Sequence, residues 1–145
     1  MGKLVTILGV SHNPWLARMT EPKPEDAIVT RVRHAFDEQR QALMQAKPDV
    51  LLCLGNDHFN KLFMDNMPAF LVGKSETARG TFPWEHRWNA PDYVAQVHQG
   101  LARAIVSRGF EKDVDFAYTD DFMIDHAFTL PLTYLRPEAD LAIVP

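Results

Sequence analysis

Val50-Leu51-Leu52-Cys53-Leu54 is an uninterrupted apolar run held between Asp49 and Gly55. A run with no polar side chain to turn toward water predicts a strand covered on both faces, the environment of a parallel sheet in an α/β protein. Upstream, Lys3 to Leu8 is a second short β-rich apolar run, ended by Gly9, and predicts the first strand. A loop through Pro22 and Pro24 follows, after which Ile28, Val32 and Phe36 recur at helical spacing, Leu43 and Met44 continue the pattern and Pro48 closes it. Strand, helix and strand in that order open a βαβ unit.

The rest of the chain extends the same plan. Pro68 to Gly73 predicts a third, shorter strand whose proline start suits an edge or a terminus. Lys74 to Pro91 is expected to be a polar, aromatic-rich loop. A second helix is expected from about Asp92 to Ser107, with Val94, Val97, Leu101 and Ile105 on one face and Gly109 as its stop. Asp113 to Thr119 and Leu141 to Val144 are further strand candidates, separated by a short segment holding Asp125-His126 and Pro131. The expected architecture is a single α/β domain over residues 1–145, with a central mostly parallel or mixed sheet flanked by helices. Because the chain stops directly after an apolar strand, with no helix to cover that strand's edge, it reads as truncated before a C-terminal half.

Charge and composition remove several function classes. The net charge of -4, with the basic residues scattered singly, carries no nucleic-acid footprint. No apolar run approaches the roughly 20 residues that span a bilayer, and no basic segment leads into a long apolar stretch at the N-terminus. The single cysteine, Cys53, lies inside the apolar run, where it can form no internal disulfide and reads as a small buried hydrophobe; a reducing, cytoplasmic setting is expected. No nucleophile elbow, phosphate loop or dinucleotide fingerprint is present.

Three histidines carry the chemical argument. His12 and His58 each follow the carboxyl end of an expected strand, the place where open α/β sheets bind ligands. Pro14 biases the preceding backbone away from helix and stiffens the turn that presents His12, which otherwise reads as a turn histidine bonded to a neighbouring carbonyl. In an extended segment Asn56 shares His58's side and can line a pocket, whereas Asp57 faces away, as a group that orients the turn or an imidazole. Phe59, Phe63 and Met67 suit either an aromatic wall or ordinary loop packing. His126, beside Asp125 among apolar neighbours, suits proton transfer, a third metal ligand, or a buried histidine satisfied by a backbone carbonyl. His34 and His98 read as helix-surface residues. Trp84 and Trp88 favour an anchor on a partner over a lid across an aromatic ligand. Two strand-end histidines without cysteine ligands suit ferrous iron, manganese or zinc.

Three blocks taken together, Gly9-Val10-Ser11-His12-Asn13-Pro14-Trp15-Leu16, Gly55-Asn56-Asp57-His58-Phe59 running on to Met67-Pro68-Ala69-Phe70, and Asp125-His126-Ala127-Phe128-Thr129-Leu130-Pro131-Leu132, resemble the class III extradiol ring-cleavage dioxygenases. That family includes protocatechuate 4,5-dioxygenase β subunits and 2,3-dihydroxyphenylpropionate dioxygenases. The resemblance implies that His12 and His58 are two of three protein ligands to a non-haem ferrous ion, Fe(II), and that His126 serves in acid-base work or substrate hydrogen bonding. It places the third ligand, a glutamate, beyond Pro145. Asn56 and Phe59 are then expected to contact substrate, and Asp57 and Asp125 to support the ligands from behind. The expected partners are a catechol-type molecule and dioxygen, together with a second copy of the chain or a second subunit. Two other readings use the same residues: a non-catalytic relative that keeps the fold and binds a ligand or protein, and a zinc-dependent hydrolase or lyase.

Overall fold

The computed structural model describes residues 2–145. Helix α1 (Ala27–Ala46) begins where the Asp26 carboxylate accepts the Ile28 and Val29 N–H groups, and ends where Lys47 enters the left-handed region (φ 46°) ahead of Pro48. Its buried stripe is Val29, Phe36 and Leu43, a strict seven-residue spacing. Ile28 and Met44, expected to face inward, are exposed, because the stripe is rotated by about one residue from the predicted one.

The Val50 run forms strand β1 (Val50–Leu52), which pairs in parallel with the last strand, Ala142–Val144, in the register Val50 to Ala142. Cys53 N–H donating to the Val144 carbonyl carries the ladder one residue further. Parallel pairing therefore holds, but two-sided cover does not: Leu52 and Leu54 are 56% and 88% exposed. The expected first strand does not form either. Residues 3–8 make no ladder, and Leu4 and Ile7 face solvent, since apolar composition makes a strand only when a neighbour offers it hydrogen bonds.

Strand β2 (Leu71–Gly73) pairs in parallel with Ala117–Thr119. The segment expected to be a loop contains strand β3 (Thr77–Gly80) and a 3₁₀ turn, Pro83–Trp88. The helix expected from Asp92 begins instead as strand β4 (Tyr93–Gln96), antiparallel to β3, with Tyr93 and Ala95 buried and Val94 and Gln96 exposed. That two-residue alternation competes with the three- and four-residue spacing of Val94, Val97 and Leu101, and pairing with β3 decides between them. Helix α2 (Gln99–Phe110) starts after His98, whose Nδ1 accepts the Leu101 N–H, so this histidine is a cap and not a helix-surface residue.

Strands β5 (Ala117–Thr119) and β6 (Phe122–Met123) lead into helix α3 (His126–Leu135), and the chain closes with β7 (Ala142–Val144). β6 lies parallel to β3 on the side opposite β4. The short ladders are stitched together through β7: Val97 bridges to Ile143, and Gly73 N–H donates to the Pro145 carbonyl. The result is an α/β fold of small parallel and mixed sheets flanked by helices. One apolar core lies between the sheet and α2, around Val72, Val106, Ile124 and Ile143. A second joins α1, α3 and the 3₁₀ turn Pro14–Met19 through Phe36, Leu43, Leu130 and Leu16.

Candidate metal centre

Three separate devices bring three imidazoles together. His12 sits at the mouth of the Pro14–Met19 turn, where the Asn13 side chain accepts the Trp15 N–H and Pro14 occupies the first turn position. Leu16 and Ala17 bury that turn against the second core, and the Tyr134 hydroxyl of α3 donates to the Leu16 carbonyl at 2.8 Å. His58 lies in the loop after β1, where Asp57 accepts the Lys61 and Leu62 N–H groups and so holds the turn, one of the two roles expected of it. His126 is the first residue of α3. β3 reaches it by close approach, with Ile124 N–H donating to the Arg79 carbonyl. A Cβ on Gly80 would stand 2.0 Å from the Ile124 carbonyl oxygen, so only glycine fits beside this segment.

The ring centroids of His12 and His58 are 5.1 Å apart, those of His58 and His126 4.3 Å, and those of His12 and His126 5.9 Å. Asp125 is the hub behind them. Its Oδ1 accepts the Ala127 N–H as the cap of α3, while Oδ2 lies 2.9 Å from His58 Nδ1 and 2.9 Å from the Asn60 amide nitrogen that donates to it. With its oxygens occupied as acceptors, Asp125 fixes the proton on His58 Nδ1 and leaves Nε2 of that ring with a lone pair to offer. One donor atom from each of His58, Asp125 and His126 lies within 4.8 Å of the others. Burial, then the neighbouring His58 and His126, hold the His12 pKa below its ordinary value, against an opposing pull from Asp125. A neutral imidazole is the form that ligates metals.

The residues singled out by sequence are not all gathered here. Asn56 and Asp57 line a cavity of about 790 Å³ that also touches Asp125 and Phe128 and is open along Leu52 and Leu54. Phe59 takes a left-handed backbone (φ 55°) and is 54% exposed, outside the lining of that cavity. Cys53 is inert, since burial pushes its thiol up to about 12. Trp88, expected to anchor a partner, stands edge-on to the His126 ring at 5.4 Å and closes a cleft of about 420 Å³ lined by Asn13, Pro14, Trp15 and Arg18. Trp84 stacks on Phe82 and donates its indole N–H to Asn60.

Sequence reasoning passed over Glu85, which is fully buried, accepts the backbone N–H of His126 and lies 2.5 Å from that residue's ring Nδ1. A signal was available: proline at the first position of a turn and glutamate at the third is the pattern of a carboxylate reaching back to a helix start, and Glu85 does accept the Phe82 N–H. Asn60, which ties Asp125 to Trp84, carried no comparable pattern.

A family model described as the catalytic LigB subunit of aromatic ring-opening dioxygenase matches residues 6–144. Among curated proteins, the chain is similar to 2,3-dihydroxyphenylpropionate/2,3-dihydroxicinnamic acid 1,2-dioxygenases. The Photorhabdus laumondii protein is 29% identical over 90% of this chain and 38% of its own length. One from Rhodococcus is 27% identical over 90% of this chain and 39% of its own. A Dechloromonas aromatica protein is 30% identical over 87% of this chain and 37% of its own. The chain thus spans under two fifths of the length of these relatives. With the family match running almost from end to end, the chain belongs to the LigB family of aromatic ring-opening dioxygenase catalytic subunits.

Proposed function

We propose that the protein containing this chain opens a catechol-type aromatic ring outside its diol, using dioxygen and a ferrous ion held by His12 and His58. The observation that carries this reading is the approach of those two imidazoles to 5.1 Å, one of them with its Nδ1 tied to a buried carboxylate. The donor chemistry fits the metal: His12 and His58 would hold an Fe(II) ion through ring nitrogens, a ligand type that suits it, and would leave room for a further carboxylate, a diol and dioxygen. Asp125 is spent on the Ala127, Asn60 and His58 groups and so acts as an orienting partner, with the third protein ligand expected from outside residues 1–145. The chemistry a ferrous ion supplies when bound is electron transfer from an electron-rich ring to oxygen.

The chain's own residues prepare the ring for that transfer. His126 is nine-tenths buried with its Nδ1 against Glu85, and its Nε2 is the ring atom left to exchange a proton with a diol hydroxyl and the opening ring. Trp15, Pro14 and Trp88 give the adjoining cleft flat apolar walls suited to an aromatic ring. Arg18, stacked over Trp15 at 4.8 Å, offers that cleft a cation for an acidic substituent.

The test is performed on the full-length protein, reconstituted with ferrous iron without oxygen and then given a catechol and oxygen. Stoichiometric oxygen uptake with appearance of a yellow ring-opened product is expected. His12→Ala and His58→Ala are each expected to lose bound iron, whereas His126→Ala keeps iron and loses about 10²–10⁴-fold in turnover. Unchanged iron content in both of the first two variants would overturn the ligand assignment. Oxygen-independent hydrolysis restored by zinc would replace the ring-opening reading.

A further inference from the structure

We propose that Glu85 is the positioning residue for His126, selecting which ring nitrogen carries the proton. Three nitrogens converge on this carboxylate: the Phe82 N–H on Oε2 at 3.0 Å, and on Oε1 the His126 backbone N–H at 3.1 Å and the His126 ring Nδ1 at 2.5 Å. The side chain has no exposed surface, and a buried carboxylate is tolerated only when such donors replace its lost water. Capping alone accounts for the two backbone donors. The third bond is additional, and it is the shortest of the three.

Because both oxygens of Glu85 receive backbone N–H groups, the ring nitrogen facing Oε1 is held as the donor, so His126 is kept protonated on Nδ1 with Nε2 bare. Backbone and ring of the same residue gripping one oxygen also fix the ring's rotation. Trp88 packs edge-on at 5.4 Å and bars a swing in its direction. The arrangement parallels the carboxylate that sets the imidazole tautomer in a hydrolytic triad, where exchanging carboxylate for amide preserves shape and presents the wrong nitrogen.

The test uses Glu85→Gln in the full-length protein. Glutamine has one acceptor oxygen for sites that now need two; turning that oxygen to Phe82 points its NH₂ at His126 Nδ1 and forces the ring proton onto Nε2. Nitrogen-15 spectra of the histidine rings, taken without metal and again with zinc as a diamagnetic stand-in, read the tautomer directly. Wild type is expected to show Nδ1–H at His126 and the variant a population with Nε2–H. The activity arm rests on the ring-opening reading: kcat on catechol is expected to fall about 10–100-fold with KM within about twofold and iron content unchanged.

A wild-type His126 protonated on Nε2 overturns the proposal without any variant, and so covers the case in which the substituted chain does not fold. A folded Glu85→Gln protein with the wild-type tautomer and kcat also overturns it. Wild type that leaves catechol intact, while the tautomer still switches in the variant, refutes the ring-opening reading and supports the positioning role.

Discussion

His12 and Asp125 show how much a single residue's surroundings decide. His12 keeps its neutral form because burial and two neighbouring imidazoles oppose a positive charge there. An NMR titration of the metal-free protein is expected to place its midpoint below the ordinary 6.5, and a midpoint at or above that value would contradict the placement of the three rings. The linked stability has a definite sign. Above 6.5 the residue is neutral in folded and unfolded chains alike; as pH falls below 6.5 the unfolded chain takes up a proton that the folded one refuses, and stability declines until the folded-state value is passed. For Asp125→Ala, loss of the α3 cap is expected to cost about 1 kcal/mol in a denaturant melt. The same substitution releases His58 and should weaken metal binding about 10–100-fold in a titration. The cap role of Asp125 could not be read from the dipeptide Asp125-His126, because it is directed at a helix not expected there; its supporting role was expected from the family resemblance, but not its partner, a residue 67 positions away.

At the level of elements, α3 is the piece that converts packing into site geometry. Its first residue is His126, its cap holds His58, and its last turn holds the segment bearing His12 through Tyr134. Tyr134 also stacks on Phe36 of α1, with ring centroids 4.3 Å apart. Tyr134→Phe keeps that stack and deletes the bond to the Leu16 carbonyl, so a stability loss of about 0.5–1.5 kcal/mol is expected, together with weaker metal binding as the His12 turn loosens. Leu130, fully buried on α3 in the core shared with Phe36 and Leu43 of α1, is a packing control: Leu130→Ala is expected to cost about 2–5 kcal/mol by denaturant unfolding. If Tyr134→Phe lowers metal affinity no more than its stability loss allows, the helix does not transmit position to His12. The α1 and β1 positions were legible because their signals are local, helical spacing of apolar residues closed by Pro48 and an unbroken apolar run, although the buried stripe of α1 is rotated from the expected one. β4 was not, since Tyr93 to Leu101 carries both helical and alternating patterns and the partner β3 lies in a segment rich in polar residues.

At the scale of the whole molecule, one cavity wall is apolar and open to solvent. Leu52, Leu54, Met67 and Phe70 line the open wall of the larger cavity and are all more than two-fifths exposed. A connected apolar wall of this kind favours association in water. Residues 1–145 prepared alone are therefore expected to self-associate in sedimentation velocity, and Leu54→Lys with Phe70→Lys to shift them toward monomer; a monomeric parent would contradict this. The sequence by itself determined the α/β class, the helix before β1, the parallel pairing of the Val50 run and the three histidines worth following, because periodicity, apolar runs and short motifs are properties of neighbouring residues. Tertiary structure alone decided that Glu85 grips His126, that Trp88 faces the imidazoles and that residues 3–8 stay unpaired. Each of those depends on where a distant donor or strand edge comes to rest, and hydrogen bonds between remote parts of a chain exist only once the core has brought them within reach.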